Sequence, residues 1–190
     1  MSKELKRKKI LIDAGHGGDF PGKEYEGRQE KDVTLEFSKI LQELLEAEDA
    51  RVYMTREVDR DFGGDDADED INYRVDWINN NFHANRSVDV LISIHVNTEY
   101  GRVGTFYHPD GKASKTLARK IGRSMDELAY KEDLAILRDT NVAGAKTLIE
   151  IAQIDEDWLD DSKELKKLAK KIVRGLTDYF IALDQGRIEK

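Results

Sequence analysis

Five short runs rich in apolar and β-branched residues recur along the chain, separated by stretches of helical period. They are KILIDA (9–14), RVYMT (51–55), DVLISIH (89–95), GTFYH (104–108) and KTLIEIA (146–152). Most end in polar or glycine-rich turns, the signature of buried strands. Between them, apolar residues return every three to four positions. One set is Val33, Phe37, Ile40, Leu41 and Leu44, a second is Leu117, Ile121 and Leu128, and a third is Leu165, Leu168, Ile172, Leu176 and Phe180. That spacing lines one helix face in each case. A further helix is expected from Ile71 to about Phe82. Strands alternating with helices predict an α/β fold on a mostly parallel sheet. With 190 residues the chain suits a single domain, 1–190, better than two.

In such sheets, sites form beyond the carboxyl ends of the strands. His16 follows the first strand, His95 closes the third and Glu150 lies near the end of the last. Glu30 opens EKDVTLEF, just before the first helix, and can reach the same rim. The glycines around His16, in DAGHGGDFPG, allow a tight bend that aims its ring outward. Two imidazoles and a carboxylate, with a second glutamate apart, would make a hydrolytic zinc site with one open position. The competing reading of His16 is a histidine that serves the core.

Gly17–Lys23, GGDFPGK, also has the spacing of a phosphate loop and follows a strand. Glu24 stands where that loop needs a magnesium-binding hydroxyl, Pro21 removes a backbone donor, and no helix opens at YEGRQEK. The dinucleotide fingerprint fails at Phe20, which replaces its third glycine.

A formal net charge of −8, with 37% charged residues, argues against a sequence-independent grip on nucleic acid or anionic lipid. There is no cysteine, so neither disulfides nor thiolate metal sites are available. The apolar run Ile10–Ile12 after the basic start is far shorter than the roughly 7–15 residues of a signal peptide, and nothing reads as membrane-spanning. The chain is therefore expected to be kept in the cytoplasm, to leave by a route other than Sec, or to have been trimmed of a leader. The acidic stretch DRDFGGDDADED (59–70) begins like a calcium loop, but Ile71 and Trp77 occupy its glycine and glutamate positions, so a solvated loop is expected. Lys163, Lys166, Lys167, Lys170, Lys171 and Arg174 on the last helix could face an anionic polymer, but a plain solvated face is the expectation.

The segments ILIDAGHGG, EKDVTLEFSKILQELLE, RVYMTR, YRVDWINN, VDVLISIHVN, LAILRDTN and TLIEIA occur in the order of one family. Together they resemble the zinc-dependent N-acetylmuramoyl-L-alanine amidases of the Amidase_3 type, which are peptidoglycan hydrolases. The likeness runs from about Lys9 to about Leu183. It implies a single domain with a sheet of about six strands flanked by helices. It further implies one zinc ion per chain on His16, Glu30 and His95, with Glu150 as the catalytic carboxylate. The implied reaction is hydrolysis of the amide between the lactyl group of N-acetylmuramic acid and the L-alanine of the stem peptide. Peptidoglycan would be the partner, with no nucleic acid or membrane, and the chain a monomer acting on the cell wall. The flanks NVAGAK and AQIDED around the glutamate motif depart from the family's usual proline and glycine–asparagine turn, which bears on groove shape rather than on the metal ligands.

Asn97 and Arg138 are the candidate substrate-facing residues, each with loop fixation as the plainer role. Arg74 is expected to anchor its helix to the sheet rim and His83 to lie on the surface, while His108 ends a strand, with approach to the cleft as its lesser reading. The other classes open are a zinc peptidase or amidohydrolase acting on a different amide, and a noncatalytic wall-binding domain, which would be expected to lose a ligand or the glutamate.

Overall fold

A computed structural model describes residues 4–82 and 87–187. The strands that build the main sheet are β1 (Lys9–Ala14), β4 (Arg51–Met54), β5 (Val88–Asn97), β6 (Gly104–Tyr107), β7 (Ala129–Lys131) and β8 (Ala143–Gln153). Their order is β4-β1-β5-β8-β6-β7, and every neighbouring pair is parallel except β6 with β8. A separate two-stranded hairpin, β2 (Glu24–Tyr25) with β3 (Arg28–Gln29), sits in the connection after β1. The helices are α1 (Glu30–Glu46), α2 (Ala67–Asn81), α3 (Lys112–Met125), the short α4 (Ala135–Arg138) and α5 (Ser162–Asp184).

The central strands are apolar on both faces because both faces are covered. Along β5, Val90, Ile92, Ile94 and Val96 point to one side, where they join Phe37 and Leu41 of α1, Ile121 of α3, and Ile172 and Phe180 of α5. Leu91 points the other way, to a smaller core with Leu11, Val75 and Ile78 of α2, Leu137 of α4 and Leu148. Alternation along a strand thus assigns each residue to a layer. It also sends His95, two residues after Ser93, and Glu150, two after Leu148, toward the α2 side at the top of the sheet.

Polar side chains are buried where the layers meet. Asp13, fully buried, accepts hydrogen bonds from Thr55 Oγ1 (2.8 Å), Ser93 Oγ (2.7 Å) and Arg74 Nη1 (3.2 Å). Burial works against its charge, but Arg74 and the two hydroxyls outweigh burial and hold the carboxyl below the usual aspartate range. Arg74 indeed ties α2 to the rim, since it also donates to the carbonyls of Ala14 (2.8 Å) and His16 (2.7 Å). His83 lies outside the described residues.

Two expectations shift. The periodic run through Leu128 does not continue α3: the helix stops at Met125, Asp126 adopts a left-handed conformation with φ of 68°, and Leu128 is 67% exposed. The acidic stretch 59–70 is not merely solvated. Asp59 and Asp61 accept the backbone N–H groups of Gly18 (2.7 Å) and Asp19 (3.3 Å), Asp66 caps α2 at Glu69 N (2.8 Å), and Asp70 accepts Phe62 N. Asp59 and Asp61 thereby clamp the turn that carries His16.

Candidate active site

The chain leaves β1 through Gly15 and His16, and the backbone there is held from two sides. Arg56 donates to the carbonyls of Ala14 (2.9 Å), Gly15 (3.0 Å) and Lys31 (2.7 Å), while Arg74 holds that of His16. Burial, aided by repulsion from Arg74, lowers the Arg56 guanidinium to about 10. His16 itself sits at φ of 60°, a left-handed conformation uncommon for a residue with a side chain. Two glycines are required by close approach. A Cβ on Gly15 would lie 2.5 Å from the His95 ring, and one on Gly22, at φ of 73°, would lie 2.5 Å from Glu30 Oε2.

Three sequence candidates meet here. Glu30, the first residue of α1 and 1% exposed, directs Oε2 to His16 Nε2 at 3.1 Å and Oε1 to His95 Nδ1 at 3.0 Å. One ligand atom from each of the three residues can be chosen so that all lie within 4.8 Å of one another. Backbone N–H groups orient the carboxylate as well, Lys23 N donating to Oε2 and Val96 N to Oε1, each at 2.9 Å. Burial alone would raise the Glu30 carboxyl, but the bonds to His16 and His95 pull it far below the usual range. For His95, burial disfavours the cation, yet the bond and charge of Glu30 prevail and raise its imidazole.

Glu150 stands on the same rim, in register with His95 on β5 and with Gly104 on β6. It makes no bond to the triad; its Oε2 is buried and has no partner among the described residues. Burial pushes its carboxyl up to about 7, with His95 and Lys23 opposing the shift and Glu30 adding to it.

The other candidates fall elsewhere. Asn97 spans its own loop, donating to Arg102 O (3.1 Å) and accepting Thr98 N (2.8 Å). Arg138 is not brought to the rim. It pairs with Asp133 (2.9 Å) and Asp139 (2.8 Å) just before β8 begins at Ala143, seven residues short of Glu150, or roughly 23 Å of strand. His108 is also carried away, because β6 runs antiparallel to β8 and leaves the Glu150 end at Gly104. It lies 3.6 Å from Asp133 instead. Sequence reasoning missed Arg56 as the second clamp of the His16 turn, although it closes the quoted RVYMTR.

Residues 10–178 match the family Amidase_3, described as N-acetylmuramoyl-L-alanine amidase. The chain belongs to that family. Among relatives of this amidase-family chain, a probable cell wall amidase, LytH, from Staphylococcus saprophyticus is 30% identical over 94% of the chain. A germination-specific N-acetylmuramoyl-L-alanine amidase from Bacillus subtilis is 28% identical over 93% of it. The chain spans 60% of the staphylococcal protein's length and 81% of the Bacillus protein's. In structure it resembles the CwlD amidase from Clostridioides difficile, solved in complex with the GerS lipoprotein. That likeness has a TM-score of 0.81 at 27% identity and covers 93% of this chain and 100% of that one. The six-stranded, mostly parallel sheet with helices on both faces is therefore the architecture of an amidase catalytic domain. No helix among the described residues is long and apolar enough to cross a membrane.

Proposed function

We propose that this chain hydrolyses the amide joining the lactyl group of N-acetylmuramic acid to the L-alanine of the peptidoglycan stem peptide, using one zinc ion held by His16, Glu30 and His95. The carrying observation is the convergence of a two-imidazole, one-carboxylate cluster and a separate buried carboxylate on one rim. Family membership and the cell wall amidases among the relatives support the substrate class. The substrate puts the site of action at the cell wall.

The donor set fits zinc. Imidazole nitrogen and carboxylate oxygen are ligands it accepts, and three protein ligands leave a coordination position open, as catalytic sites do. The backbone donors on Glu30 supply the outer support that fixes a ligand's orientation. When bound, zinc supplies Lewis acidity, which polarises a carbonyl and makes water a usable nucleophile near neutral pH.

The chain's own residues do the rest. Glu150 accepts a proton from the attacking water and delivers it to the alanine nitrogen as the C–N bond breaks, so the amine leaves neutral. Its unpartnered oxygen is free for this exchange, and its raised affinity for protons suits a group that must take one and return it. A cation held by the triad would favour the ionised form and so poise Glu150 as a base. Arg56 and Arg74 keep the His16 turn from relaxing out of its left-handed bend.

Product analysis tests the reading. Digestion of purified peptidoglycan should release new amino-terminal alanine without any rise in reducing sugar, and chelation should abolish the signal until zinc is restored. Reducing ends would indicate a glycosidase, which needs two carboxylates and no metal. Those ends, or a new amino terminus other than alanine, would overturn the proposal.

A further inference from the structure

We infer that the outward faces of α3 and α5 form a docking surface for an acidic phosphodiester polymer of the cell wall, an inference that rests on the wall-hydrolase reading above. The two helices pack side by side against one face of the sheet. α3 carries five cations and no carboxylate, and α5 carries six cations and three carboxylates. Their net charge is thus +8 in a chain that totals −8, leaving −16 on all the other residues. The apolar stripes of both helices are spent on the core, so ten of the eleven cations are exposed on the outer side and Lys120 is half-buried.

Part of that charge lines a cleft. Between the helices lies a cavity of about 420 Å³ walled by Lys120 and Arg123 of α3 and by Lys171 and Arg174 of α5. Asp126 and Asp178 share the wall, and Asp126 pairs with Lys171 at 2.8 Å, so the cleft stays positive by two charges. Ser124 Oγ donates to Lys171 O at 2.7 Å, which pins the helices together and fixes the width of the cleft.

Three observations select the occupant. The overall charge of −8 does not forbid an anion, because at physiological ionic strength charges beyond about 8 Å are largely screened and the local face dominates. A cleft lined by cations suits a strand of separated phosphates better than a flat bilayer. A bilayer would also call for exposed apolar residues to insert, yet the exposed large hydrophobics, Tyr53, Val58, Tyr73, Tyr100 and Leu128, all lie outside both helices. A wall hydrolase holding such a polymer on this face would be retained at its insoluble substrate while the rim bearing Glu150 stays open.

The test uses the full chain on immobilised poly(glycerol phosphate) over a salt series. Wild type, Arg123→Lys/Arg174→Lys and Glu150→Gln should be retained and should elute with salt. Arg123→Glu/Arg174→Glu should bind at least about tenfold more weakly, with a flatter dependence of log affinity on log salt. Each lost phosphate contact flattens that slope by roughly 0.7 on single-stranded nucleic acid. Unchanged circular dichroism and undiminished cleavage of a soluble muropeptide show that the glutamate variant is folded. Equal retention of that variant and wild type, or no retention of wild type, overturns the inference while leaving amide hydrolysis standing. Loss of amide hydrolysis with retention intact would instead strike the function alone. Tighter binding to anionic phospholipid vesicles or duplex DNA than to the polymer also overturns it, since the occupant would then be a different one.

Discussion

Glu150 carries a buried oxygen with no partner among the described residues, and it stands in register with His95, whose Nδ1 is engaged by Glu30. A buried polar atom left unpaired costs about 1–3 kcal/mol, so its retention points to work rather than to structure. Replacing it with glutamine keeps the shape and removes the proton acceptor. Glu150→Gln should therefore retain zinc and fold while turnover falls by about 10² to 10⁴; metal content beside kcat checks this, and turnover within tenfold of wild type would demote the residue. Its pH behaviour has a definite sign. A base must be ionised, so kcat/KM should fall as pH drops through the carboxyl's pKa. Burial raises that value to about 7, and a cation on the triad draws it back toward the ordinary 4.5. The acid limb of the wild-type profile is expected between those two values, and a profile flat across that window would remove Glu150 as the base. His16, His95 and Glu150 were legible because each sits where a recognisable strand ends. Arg138 and His108 were not placeable, because the reversed direction of β6 and the bottom-edge position of α4 leave no local mark in the sequence.

At the scale of elements, Asp13 joins four of them: β1, which carries it, the residue after β4 through Thr55, β5 through Ser93, and α2 through Arg74. Removing one partner of a buried ion pair costs about 3–5 kcal/mol because the other charge is stranded. Asp13→Ala should lose stability on that scale in urea unfolding at neutral pH. The pH sign follows from its depressed pKa. The folded carboxyl holds its proton less tightly than the unfolded one. The stabilisation is therefore complete above the unfolded value of about 3.9 and is lost as pH falls below it, through the folded value. Wild type should accordingly show a steeper acid loss of stability than Asp13→Asn, and parallel curves would show that Asp13 is not the group being titrated. The long elements were readable because burial on two faces forces continuous apolar strands and burial on one face forces helical period. The hairpin of two-residue strands, the three-residue β7 and the four-residue α4 are too short for either period to register. Leu128 mimicked the α3 period while lying beyond a left-handed stop at Asp126, a backbone event that the apolar pattern does not encode.

For the whole molecule, the triad gathers its side chains from the turn after β1, the start of α1 and the end of β5, so a metal ion held there would be linked to global folding. The unfolded chain separates His16, Glu30 and His95 by up to 79 positions and offers no preformed site. Zinc should then stabilise the native state by RT ln(1 + [Zn]/Kd), about 2.7 kcal/mol at a hundredfold excess over Kd. For a chain of this size each kcal/mol moves the midpoint by roughly 2–4 °C, so a rise of about 5–11 °C is expected on saturation, reversed by chelator. His95→Ala should abolish the rise, whereas Glu150→Gln, which touches no ligand, should preserve it. The pairing of those two variants separates a specific site from zinc bound loosely to surface carboxylates, which are plentiful in a chain of net charge −8. A midpoint rise of equal size in wild type and His95→Ala would show that the stabilising metal sits elsewhere, and the two histidines would then be read as hydrogen-bond partners that position Glu30.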